Sequence, residues 1–161
     1  MPQKRIIQEG LFHVTTVTRN RIPWCTLPGI PSLLIDNLLM TRNQHDALIA
    51  AFSILPDHLH LLICPGPKGL SAFMHSFKRN SSYEIRTVAG VREPRLRDRD
   101  PDIFCSGWQD GFHDELIRDD RQRSSAYGYI VHNAWRHGLV DDPDTWPWLS
   151  VHFPELINWS G

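Results

Sequence analysis

The segment 47–64 constrains this chain more than any other. Residues 47–54, Ala-Leu-Ile-Ala-Ala-Phe-Ser-Ile, are apolar apart from one serine. Pro56-Asp57 then interrupts the run, and Leu59 to Cys64 is apolar again. Alone, 47–54 suits a helix or a strand, because periodicity does not separate the two in a short apolar run. The Pro-Asp break followed by a second run makes the pair read as a β-hairpin. Its second arm begins Asp57-His58-Leu59-His60-Leu61-Leu62. Alternate side chains of a strand share a face, so both imidazoles point one way and Leu59 and Leu61 point into the core. Two convergent imidazoles form a bidentate site for a divalent ion. The plainer reading is two half-buried structural histidines, in a chain that has nine.

The other elements follow from the same rules. Residues 12–18, Phe-His-Val-Thr-Thr-Val-Thr, are β-branched and aromatic and read as a strand. Pro23, Pro28, Gly29 and Pro31 mark a loop, and Leu33, Leu34, Leu38 and Met40 predict a helix over about 32–43. Leu70, Phe73, Met74 and Phe77 fall at i, i+3, i+4 and i+7, an amphipathic helix over about 69–87. That stripe is a core face. Residues 90–102 read as an exposed loop of mixed charge, and 103–117 as two short strands broken by Gly107 and Gly111. A last helix is expected over about 120–137, stopped by Gly138. The tail, 141–161, carries Pro143, Pro147 and Pro154 with three tryptophans and reads as extended chain over the surface.

The last helix carries the second chemical feature. Tyr127, Ile130, Val131 and Ala134 satisfy the i, i+3, i+4, i+7 rule, which assigns Tyr127 to the core. Tyr129 lies about 200° around the helix from Tyr127. It shares a face with His132, Asn133 and Arg136. That face presents a phenol, an amide or imidazole, and a guanidinium together. The bland reading is the wet side of an ordinary amphipathic helix. Among the remaining histidines, His113 is either structural or lines the site, whereas His13, His45, His75, His137 and His152 read as surface or core residues.

Composition bounds the answer further. A chain of 161 residues is one domain's worth and can bury a core without staples. We expect one domain over 1–161, with a core of about 10–153. Cys25, Cys64 and Cys105 are odd in number and form no Cys-x-x-Cys pair, which excludes a thiolate zinc knot and suits a reducing cytoplasm. No apolar run is long enough to span a bilayer, so no membrane partner is expected. The net charge is −1, yet residues 1–97 carry 12 basic against 6 acidic side chains and residues 98–161 carry 5 against 12. The first part can therefore offer a basic face to a polyanion. No phosphate-binding glycine loop or nucleophile elbow occurs.

Three ordered blocks resemble one family. Leu55-Pro56-Asp57-His58-Leu59-His60-Leu61-Leu62 is similar to the Met-Pro-Asn-His-Val-His-Leu-Leu block of the single-tyrosine, His-hydrophobic-His transposases. Trp108-Gln109-x-Gly111-Phe112-His113-Asp114 resembles the Trp-Gln-x-Gly-Phe-His-Asp block of the REP-associated tyrosine transposases. Tyr129-Ile130-x-x-Asn133, then Arg136-x-Gly138-Leu139-Val140, resembles their Tyr-Ile-x-x-Asn-Pro-x-Arg-x-Gly-Leu-Val block. The likeness covers roughly residues 10–153. It implies an α+β, ferredoxin-like fold: an antiparallel sheet with helices packed on it. It implies Tyr129 as nucleophile and His58, His60 and Asn133 as ligands of Mg²⁺ or Mn²⁺. The implied activity is endonuclease and strand transfer on single-stranded DNA beside a hairpin, through a 5′-phosphotyrosine, by a monomer or homodimer.

Charge and position add Arg19, Arg21, Lys78, Arg79, Arg95 and Arg97 as candidate phosphate contacts. His132 competes with Asn133 as third ligand, since both share the helix face. The chain departs from the family pattern at Leu55, Asp57, Asp110 and Ala134, the last replacing the usual proline. Two other functions stay in play. One is a metal-dependent hydrolase that uses water, with Asp57 or Asp114 beside the histidines. The other is a domesticated hairpin binder that does not cut.

Overall fold

The computed structural model describes residues 10–92 and 107–159. Four strands are formed: β1 (Leu11–Val17), β2 (Leu48–Leu55), β3 (His58–Cys64) and β4 (His113–Ile117). Among the described residues three α-helices accompany them: α1 (Ile30–His45), α2 (Leu70–Arg92) and α3 (Asp120–Arg136). The sheet order is β2-β3-β1-β4 and each neighbouring pair is antiparallel. That order in a β-α-β-β-α-β chain is the ferredoxin-like topology, with α3 added after it. Among the described residues, no helix is long and apolar enough to cross a membrane.

The hairpin forms as its sequence predicts. Leu59, Leu61 and Ile63 face the main core, while His58, His60 and Leu62 face the other side. The tight turn brings Leu55 opposite His58 and Ser53 opposite His60. A bulge between Ile49 and Ala51 slips an extra residue into β2, so Ala50 and Ala51 both join the layer under α3.

The two faces are packed differently. α1 and α2 lie against each other and cover one face, where Trp24, Phe52, Phe73 and Phe77 are fully buried. Burial of each such side chain contributes about 1.5–3 kcal/mol. α3 lies mainly over β2 and β3 on the other face. Its contact layer is small: Ala126 and Ile130 against Leu11, Ala50, Ala51 and Leu62. The rest of that face is left open beside β1 and β4.

Several expectations are corrected here. The buried face of α3 is Ala126, Ile130, Asn133 and Ala134, and Tyr127 is 43% exposed. Two alanines let the helix close onto the sheet, and the bulky phenol is displaced to the margin. Of the two short strands expected in 103–117, β4 forms, and the other reduces among the described residues to a single bridge, Thr18 to Trp108. α2 continues past residue 87 to Arg92; positions 93–102 of the expected loop lie outside the described residues.

The tail does more than lie over the surface. It follows the free edge of β2: Ile54 N–H donates to Trp148 O (3.0 Å), and Trp146 Nε1 donates to Ile54 O (2.8 Å). Asn158 Oδ1 accepts from Ile49 N–H (2.7 Å), and its Nδ2 donates to Ala47 O (3.0 Å). An unpaired strand edge is a template for unwanted pairing, and this segment covers it.

Candidate active site

The open half of the α3 face is a cleft of about 710 Å³. Its floor is set by register. Thr15 of β1 lies opposite His60 on β3 and opposite His113 on β4, so these three share one row. The next rows add Val17 opposite His58, and His13 opposite Glu115. α3 forms the wall, and Tyr129 lines the cleft from it, 38% exposed. The Tyr129 ring centroid is 5.3 Å from that of His60 and 5.7 Å from that of His13. The phenol and both imidazoles of the His-x-His pair therefore meet within one chain. Arg136 places its guanidinium 5.3 Å from the Tyr129 ring centre, a cation–π distance.

The imidazoles are held by their Nδ1 edges. His58 Nδ1 lies 2.7 Å from Asp57 Oδ1, and Arg21 lies 3.5 Å from the other Asp57 oxygen. Burial alone would raise the Asp57 carboxyl, but its hydrogen bond to His58 and the charges of His58 and Arg21 outweigh burial and hold it below the usual range. His60 Nδ1 lies 3.0 Å from Thr15 Oγ1 and 3.1 Å from His13 Nε2. Burial, and then the charges of His58, His13 and His137, push His60 down to about 3, so it is neutral at ordinary pH. A neutral imidazole is the form that binds a metal. Arg21 reaches Asp57 from a left-handed backbone: Asn20 and Arg21 have φ of 57° and 56°. Such strain in non-glycine residues recurs at functional sites.

Asn133 closes the arrangement. It is 1% exposed, and its Oδ1 lies 3.3 Å from His58 Nε2. Its Nδ2 is buried without a partner. Where the His58 proton sits on Nδ1, facing Asp57, Nε2 presents a lone pair to the amide oxygen. Two acceptors at this distance need a proton or a cation between them, or the amide turned end for end. Adjacent ligands of an octahedral ion with bonds of about 2.1 Å stand about 3 Å apart. The donor set of two imidazoles and one amide oxygen thus fits a divalent cation of Mn²⁺ or Mg²⁺ type. Among the described residues no group of three His, Cys, Asp or Glu side chains is arranged to hold a metal ion, and Asn133 stands beside the two histidines as an oxygen donor.

The expected residues separate clearly. His58, His60, Asn133 and Tyr129 come together. His132 does not: it is exposed, and its Nδ1–H donates back to Gly128 O (2.8 Å). Asp57 sits behind His58, and Asp114 lies opposite Val14, on the far side of the sheet. Neither is placed as a third ligand for a water-using hydrolase. Arg21 lines the cleft. Arg19, Lys78 and Arg79 line a second groove beside it. Arg95 and Arg97 lie outside the described residues.

Sequence reasoning missed His13 and His137. His13 touches His60, and the His137 ring lies 5.4 Å from His58. The signals were present. Strand alternation puts His13 with Thr15, and helical spacing puts His137 at i+4 from Asn133. What periodicity could not supply was which face of β1 lies beneath α3.

Comparison with known proteins now decides the family. A family model described as "Transposase IS200 like" matches residues 7–133. The chain belongs to the IS200-like transposase family. A Haemophilus influenzae member assigned as a REP-associated tyrosine transposase is 31% identical, over 94% of this chain and 88% of that one. This places the chain with the REP-associated tyrosine transposases, as its three sequence blocks imply. Transposases of this family are enzymes that cut and transfer DNA. Among solved structures, a REP-associated tyrosine transposase bound to a REP hairpin superposes with a TM-score of 0.71, at 21% identity over 95% of this chain and 86% of that one. A Deinococcus radiodurans protein assigned as a transposase gives 0.53, at 21% identity over 74% and 87%. Both matches support the transposase fold.

Proposed function

We propose that this transposase cuts and rejoins single-stranded DNA beside a hairpin, with Tyr129 as the nucleophile. The observation that carries the reading is the meeting of an accessible phenol with the His58–His60 pair in one open cleft. Tyr129 Oη attacks phosphorus, an Oη–P bond forms, and the P–O3′ bond breaks. The phenolic proton is given up, and the leaving 3′ oxygen takes one. The products are a 5′-phosphotyrosine and a free 3′-OH. The bond energy is conserved, so attack by a 3′-OH on the phosphotyrosine reverses the step without a nucleotide cofactor.

His58, His60 and Asn133 are the residues that would hold Mg²⁺ or Mn²⁺, and a bound divalent ion supplies charge to polarise the scissile phosphate. A two-imidazole set takes Mn²⁺ at least as readily as Mg²⁺, which prefers oxygen. The chain's own groups do the rest. Asp57 orients His58, and Thr15 with His13 orients His60, as outer hydrogen-bond partners do around a catalytic centre. Arg136 lies over the Tyr129 ring and keeps a fixed cation beside the phenol. Arg21, at the cleft wall, is positioned for a substrate phosphate.

The test uses wild-type and Tyr129→Phe protein with labelled hairpin-flanked DNA, in Mn²⁺ or EDTA, on a denaturing gel. A Mn²⁺-dependent protein–DNA adduct, lost in the variant, is expected. Cutting that survives the substitution would overturn the tyrosine mechanism in favour of a water nucleophile. Tight hairpin binding with neither adduct nor cut would identify a domesticated binder.

A further inference from the structure

His58 is held from behind by a carboxylate that is itself paired. Asp57 Oδ1 lies 2.7 Å from His58 Nδ1, and Asp57 Oδ2 lies 3.5 Å from Arg21 Nη1. Guanidinium, carboxylate and imidazole thus stand in file. The turn in the middle is fixed by backbone. Asp57 O accepts from Thr18 N–H (2.9 Å) and Thr18 Oγ1 (3.2 Å), and Pro56 O accepts from Cys25 N–H (2.9 Å). Arg21 lies on the short stretch between those two ties. It and Asn20 hold left-handed backbone, φ 56° and 57°, a conformation that costs energy in non-glycine residues.

Arg21 is the loose member of the file. Its side chain is 65% exposed, against 29% for Asp57 and 9% for His58. It also lines the catalytic cleft. A pair this long and this exposed is worth at most about fivefold in an equilibrium constant. A phosphate entering the cleft can therefore take over the guanidinium at small cost.

The exchange bears on His58. A carboxylate only accepts, so Asp57 calls for the His58 proton on Nδ1 and leaves Nε2 free for a cation. The asparagine of the family block can also donate to Nδ1, which would drive the proton onto Nε2; Asp57 is this chain's departure from that block. While Arg21 holds Oδ2, the carboxylate divides its charge between guanidinium and imidazole. Released from Arg21, it raises the basicity of His58 as a ligand, as outer carboxylates do for metal-binding histidines.

We propose that Arg21 couples DNA occupancy to cation affinity. In the free protein it weakens the hold of Asp57 on His58; a substrate phosphate that takes its guanidinium restores that hold and tightens the cation site. Arg21 and Asp57 are positioning residues in this scheme. It rests on the DNA-cutting reading and adds a coupling to it. Linkage is reciprocal, so DNA affinity rises by the same factor when the cation is present.

The test measures Mn²⁺ affinity by electron paramagnetic resonance, first without DNA. Arg21→Gln should tighten Mn²⁺ binding about three- to fivefold, although it removes a phosphate contact. Arg21→Lys should stay near wild type. Asp57→Asn should weaken binding about tenfold or more. In the Asp57→Asn background Arg21→Gln should change it by less than about twofold. The His58 Nδ1 proton, read by NMR in metal-free protein above the usual imidazole range, should move downfield in Arg21→Gln, as a stronger charge-assisted bond requires. Hairpin-flanked DNA is then added in the Tyr129→Phe background, which cannot form the adduct. It should tighten Mn²⁺ binding more with Arg21 present than with Arg21→Gln, by the same factor. A wild type that binds no Mn²⁺, an Arg21→Gln variant that binds it no more tightly, an equal Arg21 effect without Asp57, or an equal gain from DNA with and without Arg21 would each overturn the proposal. Adduct formation by protein that keeps Tyr129 separates the failures. An adduct with no Arg21 effect on Mn²⁺ removes the coupling alone. An Arg21-dependent gain from DNA with no adduct removes the cutting reading and leaves the coupling.

Discussion

Replacing Asn133 by leucine is expected to stabilise the fold and abolish the chemistry. Asn133 is 1% exposed, and its Nδ2 has no partner. Leaving a buried donor unsatisfied costs about 1–3 kcal/mol. Leucine has nearly the same shape and removes that cost. The loss is the contact of Oδ1 with His58 Nε2, which at 3.3 Å is long and worth about 1 kcal/mol or less. The net gain is about 0.5–2 kcal/mol, or roughly 1–8 °C in Tm for a chain of this size. In EDTA, urea or thermal unfolding should therefore rank the variant above wild type. Mn²⁺ should reverse the order. A ligand at a hundred times its Kd adds about 2.7 kcal/mol to the protein that binds it, and the variant lacks the amide donor. Adduct yield should fall at least a hundredfold. A variant less stable than wild type in EDTA, or one that keeps its adduct yield within tenfold, would refute the view that Asn133 is retained at the expense of stability for its role at the site.

Three further outcomes are expected. Lys78→Met keeps the aliphatic stem but removes two short charged hydrogen bonds to the 109–111 turn; discounted for partial exposure, about 1–3 kcal/mol should be lost in urea unfolding, with Lys78→Arg intermediate. Gly128 lies inside α3 with open space where a Cβ would stand, so Gly128→Ala should stabilise by about 0.5–1 kcal/mol in the same assay and keep the adduct. His45 is nearly buried against Phe73, with Nε2 at 2.9 Å from Ser76 Oγ and Nδ1 unpartnered, and burial, then Lys68, lowers its pKa. Above about 6.5 both folded and unfolded states are neutral there; as pH falls below that, the unfolded chain takes a proton first, and stability drops until the folded pKa is passed, by at most about 1.4 kcal/mol per pH unit. His45→Gln should lack that share of the acid slope, and parallel slopes for the two proteins between pH 7.5 and 5 would sink the assignment.

How much of the fold and site is legible in the sequence depends on whether the information is local. Alternation in His58–Leu62 fixes both the strand and the shared face of the histidines, because period two leaves no other choice. The stripe Leu70, Phe73, Met74, Phe77 fixes α2 in the same way, and Gly138, at φ 72°, ends α3 as expected. Tyr127 marks the limit of periodicity. Its spacing fits the core stripe, yet the bulge at Ala50 and the small residues Ala126 and Ala134 set how close α3 comes, and closeness is a tertiary property. His13 escapes for a related reason: alternation groups it with Thr15, but its face is assigned only once β1 lies between β3 and β4. Lys78 is legible as a cation and illegible as a clamp, since its partners are carbonyls of a turn 31 and 33 residues away.

The unequal packing of the two faces bears on how the enzyme is built. The large aromatic side chains lie between the sheet and the α1–α2 layer, and that side supplies most of the buried area. The other side is thin, and two of its polar atoms, Asn133 Nδ2 and, opposite His60, Ser53 Oγ, are buried without partners. The same asymmetry leaves α3 attached through two alanines and Ile130, with Tyr129 at the open margin. Elements with few buried contacts open at low cost. The nucleophile proposed here, which has to accept a DNA strand and later release it, is better placed on such a helix than on either helix of the opposite layer.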